Sequence, residues 1–199
     1  MDFDTLLAAA RADPIGADFH ALRMAYARSD SYAPYPHIHA TRVSVEAMSQ
    51  ALRAGDLDGA QEASAALLAS NYLDIEAHMV ADYVHTLRDS NGQAAFHRAF
   101  AQGLIRALVA TGDGKSTRTA FIVLTTSEEN TVLRALGYTM TLQALVQEDG
   151  HHYDMLRARH SRTGEEAEFY FNIDLPFGWL QRQKRASGAH DHDQDGGTR

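Results

Sequence analysis

Several side chains of this 199-residue chain are of types that do chemistry, and their spacing says where that chemistry would lie. The turn Gly112-Asp113-Gly114-Lys115-Ser116 offers a carboxylate, an amine and a hydroxyl, a set suited to receiving an anion or holding a substrate. Glu128 and Glu129 are adjacent carboxylates. Such a pair supplies an acid and a base when its surroundings push the two pKa values apart. Farther on, a strand with Phe169 and Phe171 on one face turns Tyr170 and Asn172 to the other. If Asp154 joins them from the neighbouring strand, hydroxyl, amide and carboxylate form a ligand shelf. His78 adds an imidazole to the candidates.

Each feature also has a plainer use. Gly114-Lys115-Ser116 matches the end of a phosphate-binding loop. Val109 stands where that pattern needs glycine, and a helix precedes it where a strand is required. The turn reads instead as a helix end, with Gly112 in the left-handed cap conformation and Asp113 bonding nearby amides. Glu128 and Glu129 open a helix, where carboxylates favour the positive end of the dipole. Thr126 with Glu129 three residues later matches a capping box. Among the 11 histidines, His37 and His39, His151 and His152 beside Asp154, and His190 and His192 in the tail are the pairs that suggest metal. None completes a ligand set, so no metal and no cofactor are expected. No serine or threonine sits in a nucleophile elbow.

Composition narrows the classes further. The absence of cysteine excludes disulfides, thiolate zinc sites and thiol catalysis. A formal net charge of −8 opposes a phosphate backbone, so no nucleic-acid partner is expected. No run approaches the roughly 20 apolar residues of a membrane helix. The acidic start Met1-Asp2-Phe3-Asp4 lacks a signal-peptide pattern, and a cytoplasmic protein with no membrane partner is expected. The length suits one domain over 1–185, with a helical part at 1–111 and a sheet part at 117–175. Residues 186–199 turn small and polar, as in a disordered tail. The spacing sets no oligomeric state.

The elements that must position these groups follow from hydrophobic periodicity, which is helical before the Gly112–Ser116 turn and alternating after it. Residues 2–12 form a helix ended by Asp13-Pro14. Asp18 caps a second one carrying Phe19, Leu22, Arg23 and Tyr26. Pro34 and Pro36 hold an extended segment whose tyrosines pin it to the body. Val45, Met48 and Leu52 make a stripe stopped by Gly55. Asp56 or Asp58 restarts a helix with Ala60, Ala63, Leu67 and Leu68, ended at Asn71. Asp74 caps the next, where Ile75, Met79, Tyr83 and Leu87 recur at i, i+4, i+8 and i+12. Ser90-Asn91-Gly92 breaks it, and Phe96, Phe100, Leu104 and Leu108 mark another. The run Gly55–Ala60 resembles the joint of a tetratricopeptide repeat, but no second copy follows at a period of about 34 residues.

Beyond the turn, Thr119–Thr125 predicts a buried strand, and a short helix runs through Val132, Leu133 and Leu136. Tyr138, Met140, Leu142, Ala144 and Val146 alternate in a second strand. Asp149-Gly150 signals a hairpin into a strand over about 152–160. Ala167, Phe169, Phe171 and Ile173 alternate in the last. The fold class is α+β: an N-terminal layer of about five helices packed on a small, mostly antiparallel sheet of about four strands.

Taken in order, Asp18-Phe19-x-x-Leu22-Arg23-x-x-Tyr26, Tyr32-x-Pro34-Tyr35, Gly112–Ser116 before Thr119-Ala120-Phe121, Glu128-Glu129, Tyr153-Asp154 and Tyr170–Ile173 resemble a bacterial family known as domain of unknown function 4919. The resemblance spans about residues 15–175. It implies a helical layer followed by a small sheet and no established activity. Some members resemble secreted or envelope proteins with signal peptides, which this chain does not show. Asn130 stands where the family pattern has an aromatic residue, so no role passes to it.

The expected function is a non-enzymatic protein- or ligand-binding module, its protein or peptide partner lying along the helical layer or the outer sheet face. The alternative is a small hydrolase or transferase with a polar or metal site near the turn. In that reading Asp113, Glu128, Glu129 or Asp154 is acid, base or metal ligand, and Lys115 recognises an anion. Convergence of His78, Asp113, Glu128 and Asp154 favours the enzyme. Dispersal of those groups, with an exposed apolar helix groove, favours the binder.

Overall fold

A computed structural model describes the backbone of residues 1–35 and 38–191, with side chains for 1–35 and 45–185. The helical layer comprises α1 (Phe3–Ala12), α2 (Phe19–Tyr26), α3 (Ile38–Ala54), α4 (Leu57–Ser70), α5 (Ile75–Leu87) and α6 (Asn91–Val109). These match the six helical stretches that the stripes and caps of the sequence mark, in a layer expected to hold about five. Four of these begin on an aspartate. Asp2, Asp18, Asp56 and Asp74 each accept a hydrogen bond of 2.9 Å from the amide three residues on, satisfying a donor that the helix leaves unpaired. Gly55, at φ +71°, makes the left-handed turn between α3 and α4.

A 3₁₀ turn (Thr117–Thr119), β1 (Phe121–Ile122), α7 (Ser127–Ala135), β2 (Tyr138–Glu148), β3 (His151–His160), β4 (Glu166–Asn172) and α8 (Asp174–Asp191) complete the order. The sheet runs β1-β4-β3-β2, with β1 parallel to β4 and the other pairs antiparallel, so the fold is α+β as expected. Asp149 and Gly150 both have positive φ, as the hairpin signal requires. The main core draws on both layers, from Leu22, Phe100 and Leu104 to Leu133, Leu156 and Phe171, while Met48, Leu67 and Val84 centre a second cluster within α3–α5.

Four expectations need correction. The strand over Thr119–Thr125 shrinks to two residues, because the Leu124 N–H bonds a side chain, Glu128, instead of a neighbouring strand. In β2 the register slips between Met140 and Leu142. Tyr138 and Met140 stand opposite His160 and Ala158, but beyond this bulge Leu142, Ala144 and Val146 stand opposite Arg157, Met155 and Tyr153 on the other face. Beyond Ile75 the stripe of α5 does not face the core: Met79, Tyr83 and Leu87 are exposed, and the buried residues are Ile75, Ala77, His78, Val80, Ala81 and Val84. Small and β-branched side chains let α5 lie close to α4 and α6, and the larger ones turn outward. Finally, α8 continues through residues 186–191, where the polar tail is expected to begin, carried on from the helix-forming run 180–186. Leu175, Phe177 and Trp179 pack it against the core. Residues 192–199 lie outside the described residues, as do the side chains of His37, His39, His190 and His192. Among the described residues no helix is long and apolar enough to cross a membrane.

Candidate functional site

The first turn of α7 is wedged between the helical layer and the sheet, and it carries both candidate glutamates. Arg23 reaches Glu128 from α2, fully buried, through both terminal nitrogens, with Nη2 to Oε2 at 3.2 Å. The same Nη2 donates to the Ile122 carbonyl at 2.9 Å, and Glu128 Oε2 also accepts the Leu124 N–H at 2.7 Å. Tyr32 donates its hydroxyl to the Leu124 carbonyl at 2.8 Å, and burial pushes its pKa up. This bidentate guanidinium–carboxylate pair, anchored to backbone at Ile122 and Leu124, is a clamp joining α2, β1 and α7, although Arg23 Nε is buried without a partner.

Neighbours on a helix point about 100° apart, so Glu129 faces the sheet. It meets Asp154 of β3 as a hydrogen-bond partner, and its Oε1 has no partner of its own. Burial, and then the negative charge of Asp154, push the Glu129 pKa up to about 9. At neutral pH Glu129 therefore keeps its proton. Gln143 of β2 donates to Asp154 Oδ2 at 2.8 Å. Tyr35 lies close enough that both carboxylates, after burial, raise its pKa. Its ring is 6.1 Å from that of Trp179 in α8. The capping box does not form: Thr126 takes helical φ and ψ and makes no side-chain cap bond, and the Glu129 carboxyl is met by Asp154 instead.

The far side of α7 borders an open groove of about 510 Å³, lined by Leu52 of α3, Met79, Val80 and Tyr83 of α5, Ile105 of α6, and Thr131 and Ala135. The Glu76–Arg134 ion pair, at 3.3 Å, stands at its rim. Met79, Tyr83 and Leu87 are 49%, 53% and 52% exposed. They are the outward stripe of α5, and their i, i+4, i+8 recurrence was the sequence signal for this groove. Periodicity alone does not say whether a stripe faces the core or the solvent.

A family model described as domain of unknown function (DUF4919) matches residues 9–181. The chain belongs to this family. No curated protein and no solved structure matches it.

The DUF4919 span also holds the remaining candidates, and the fold does not bring them to α7. Asp113 lies on an exposed turn and accepts the Lys115 N–H at 3.0 Å, while the Lys115 amine sits 3.9 Å from its carboxylate. A bond from Thr119 and the Lys115 amide lower the Asp113 pKa. Ser116 bonds the Thr119 hydroxyl at 3.0 Å. The left-handed residue here is Gly114, at φ +69°, rather than Gly112, whose Cα instead lies so close that an added Cβ would run into the Thr119 carbonyl. The Gly114 carbonyl accepts the Tyr170 N–H at 2.7 Å, docking the turn on β4.

The shelf of Tyr170, Asn172 and Asp154 does not form. Asp154 stands opposite Phe171 and so shares the core face, whereas Tyr170 and Asn172 stand opposite Met155 and Tyr153 on the outer face. A shift of one residue reverses the side of a sheet. The Asn172 amide bonds Asp174 at 3.2 Å. His151 and the His152 backbone also bond Asp174, at 2.6 and 2.8 Å. His78 is buried in the helical layer, where its Nε2 donates to the Tyr72 carbonyl at 2.9 Å. Its Nδ1 must then accept from His97 Nδ1, also at 2.9 Å. Burial lowers the His78 pKa to about 4. Among the described residues no group of three or more His, Asp or Glu is placed to hold a metal ion.

Proposed function

We propose that this DUF4919 chain is a non-enzymatic binding module whose groove between α3, α5, α6 and α7 receives an amphipathic helix of another protein. The observation that carries this reading is the half-exposed stripe of Met79, Tyr83 and Leu87 running beside the apolar groove. Single exposed hydrophobic residues are ordinary, whereas a contiguous row beside a groove marks an interaction surface. Eight residues of helix span about 12 Å, a length suited to the anchors of a docked helix at i, i+3, i+4 and i+7. The net charge of −8 attracts a helix whose polar face is basic. The carboxyl pair does not compete as a reaction centre. Glu129 and Asp154 are buried, and neither lines the groove.

The test is fluorescence-anisotropy titration with a labelled synthetic helix of about 18 residues, leucine on one face and lysine on the other. Met79→Asp and Tyr83→Asp are expected to weaken binding by about tenfold or more, as loss of an apolar anchor does. Glu168→Gln on the outer sheet face is expected to leave it unchanged. Equal binding by all three variants overturns the reading.

A further inference from the structure

The two edges of the sheet are treated differently. At β1 the exposed backbone of Ile122 is used up by side chains: its N–H donates to Thr111 Oγ1 at 2.9 Å and its carbonyl accepts from Arg23 at 2.9 Å. At the opposite edge β2 runs for 11 residues, pairs on one side with β3, and has no strand on its other side among the described residues. Natural edges are blunted by shortness, charge, proline or a bulge. The segment Tyr138–Gln147 has no charge and no proline. The bulge between Met140 and Leu142 protects only its first part. Leu142–Glu148 is regular, and Leu145 on it is 62% exposed.

We propose that two copies of this chain pair antiparallel through β2 about a two-fold axis at Leu145, joining their sheets into one. The register follows from the regular segment. Leu145 meets Leu145 of the second copy, Ala144 meets Val146, Gln143 meets Gln147, and Leu142 meets Glu148. No like charges oppose each other across the pair, and apolar residues match apolar residues at its centre. For a chain of net charge −8, an uncharged edge is also where a second copy approaches with least repulsion. A self-complementary patch closes under two-fold symmetry into a dimer. The surface is distinct from the helical groove and does not rest on the reading given for it.

Because the chain has no cysteine, Leu145→Cys introduces a single thiol. The axis sets that thiol against its own copy, with Cβ atoms about 5 Å apart, close enough for a disulfide after small movement. Mild oxidation of the full chain is expected to give a covalent dimer of Leu145→Cys and none of Gln147→Cys, which faces Gln143. Native mass spectrometry is expected to show a wild-type dimer and a Leu145→Lys monomer, with the circular dichroism of Leu145→Lys unchanged. A wild-type chain that stays monomeric at about 100 µM, far above the micromolar Kd of even a modest interface, overturns the proposal. So does a dimer that survives Leu145→Lys, an outcome that assigns association to the Met79–Leu87 stripe.

Discussion

Glu128 and Glu129 are consecutive, buried to a similar depth and in the same helical turn, yet α7 gives their carboxyl groups opposite surroundings. Glu128 points to α2 and is met by a guanidinium and a backbone amide. Glu129 points to the sheet and is met by another carboxyl. One becomes half of an ion pair, and the other keeps its proton to near pH 9. Residue type and burial are the same in both, so the partner across the packing interface decides the charge state.

The largest way to break this comparison is to remove the partner of Glu128. Arg23→Met is expected to cost about 3–5 kcal/mol in urea unfolding, since it strands a buried charge. Adding Glu128→Leu to that variant is expected to restore part of the loss, because two apolar groups leave nothing unpaired.

The Glu129 side is tested by pH. Its folded pKa of about 9 lies above the ordinary carboxylate value of 4.5, so the folded state binds the proton more tightly. That contribution is whole below pH 4.5 and is lost as pH rises from there through about 9. Glu129→Gln keeps a donor for Asp154 and no longer titrates. Thermal melts between pH 5 and 9 are expected to show the variant gaining on the wild type as pH increases; parallel curves would mean that the pair holds no proton.

His78 sharpens the contrast from the acid side. Burial sets its folded pKa at about 4, below the ordinary 6.5. Its contribution to stability is whole above pH 6.5 and is lost as pH falls toward 4. His78→Gln, followed by circular dichroism across that range, is expected to flatten the acid limb while leaving the alkaline one in place. The smallest effect belongs to Asp113→Ala. Its bonds are local to an exposed turn, so its melting temperature is expected to fall less than that of Arg23→Met or of Gly112→Ala, which forces a side chain onto the Thr119 carbonyl.

Much of the scaffold was readable from residues in order. The aspartate caps, the Gly55 turn, the Asp149-Gly150 hairpin and the change from helical to alternating period all involve partners within a few positions, where local hydrogen bonding and backbone sterics decide the outcome. Glu128 and Glu129 could be named as candidates because they are adjacent carboxylates, and Asp154 because it lies on a neighbouring strand expected to set it beside Tyr170 and Asn172. Their partners could not be read, because Arg23 lies 105 positions from Glu128 and the register of β3 on β4 decides which face Asp154 takes.

The sequence by itself determined where the capped helices start, where the chain turns into its hairpin, and which family the chain belongs to. Tertiary structure decided which way they face. It turned Met79, Tyr83 and Leu87 outward because α5 packs through its smaller residues, and it reversed the later half of β2 by a single bulged residue. It also drew Glu129 from a capping role to Asp154. Facing is a choice between surfaces that match over their whole area, and that matching exists only once distant segments are brought together.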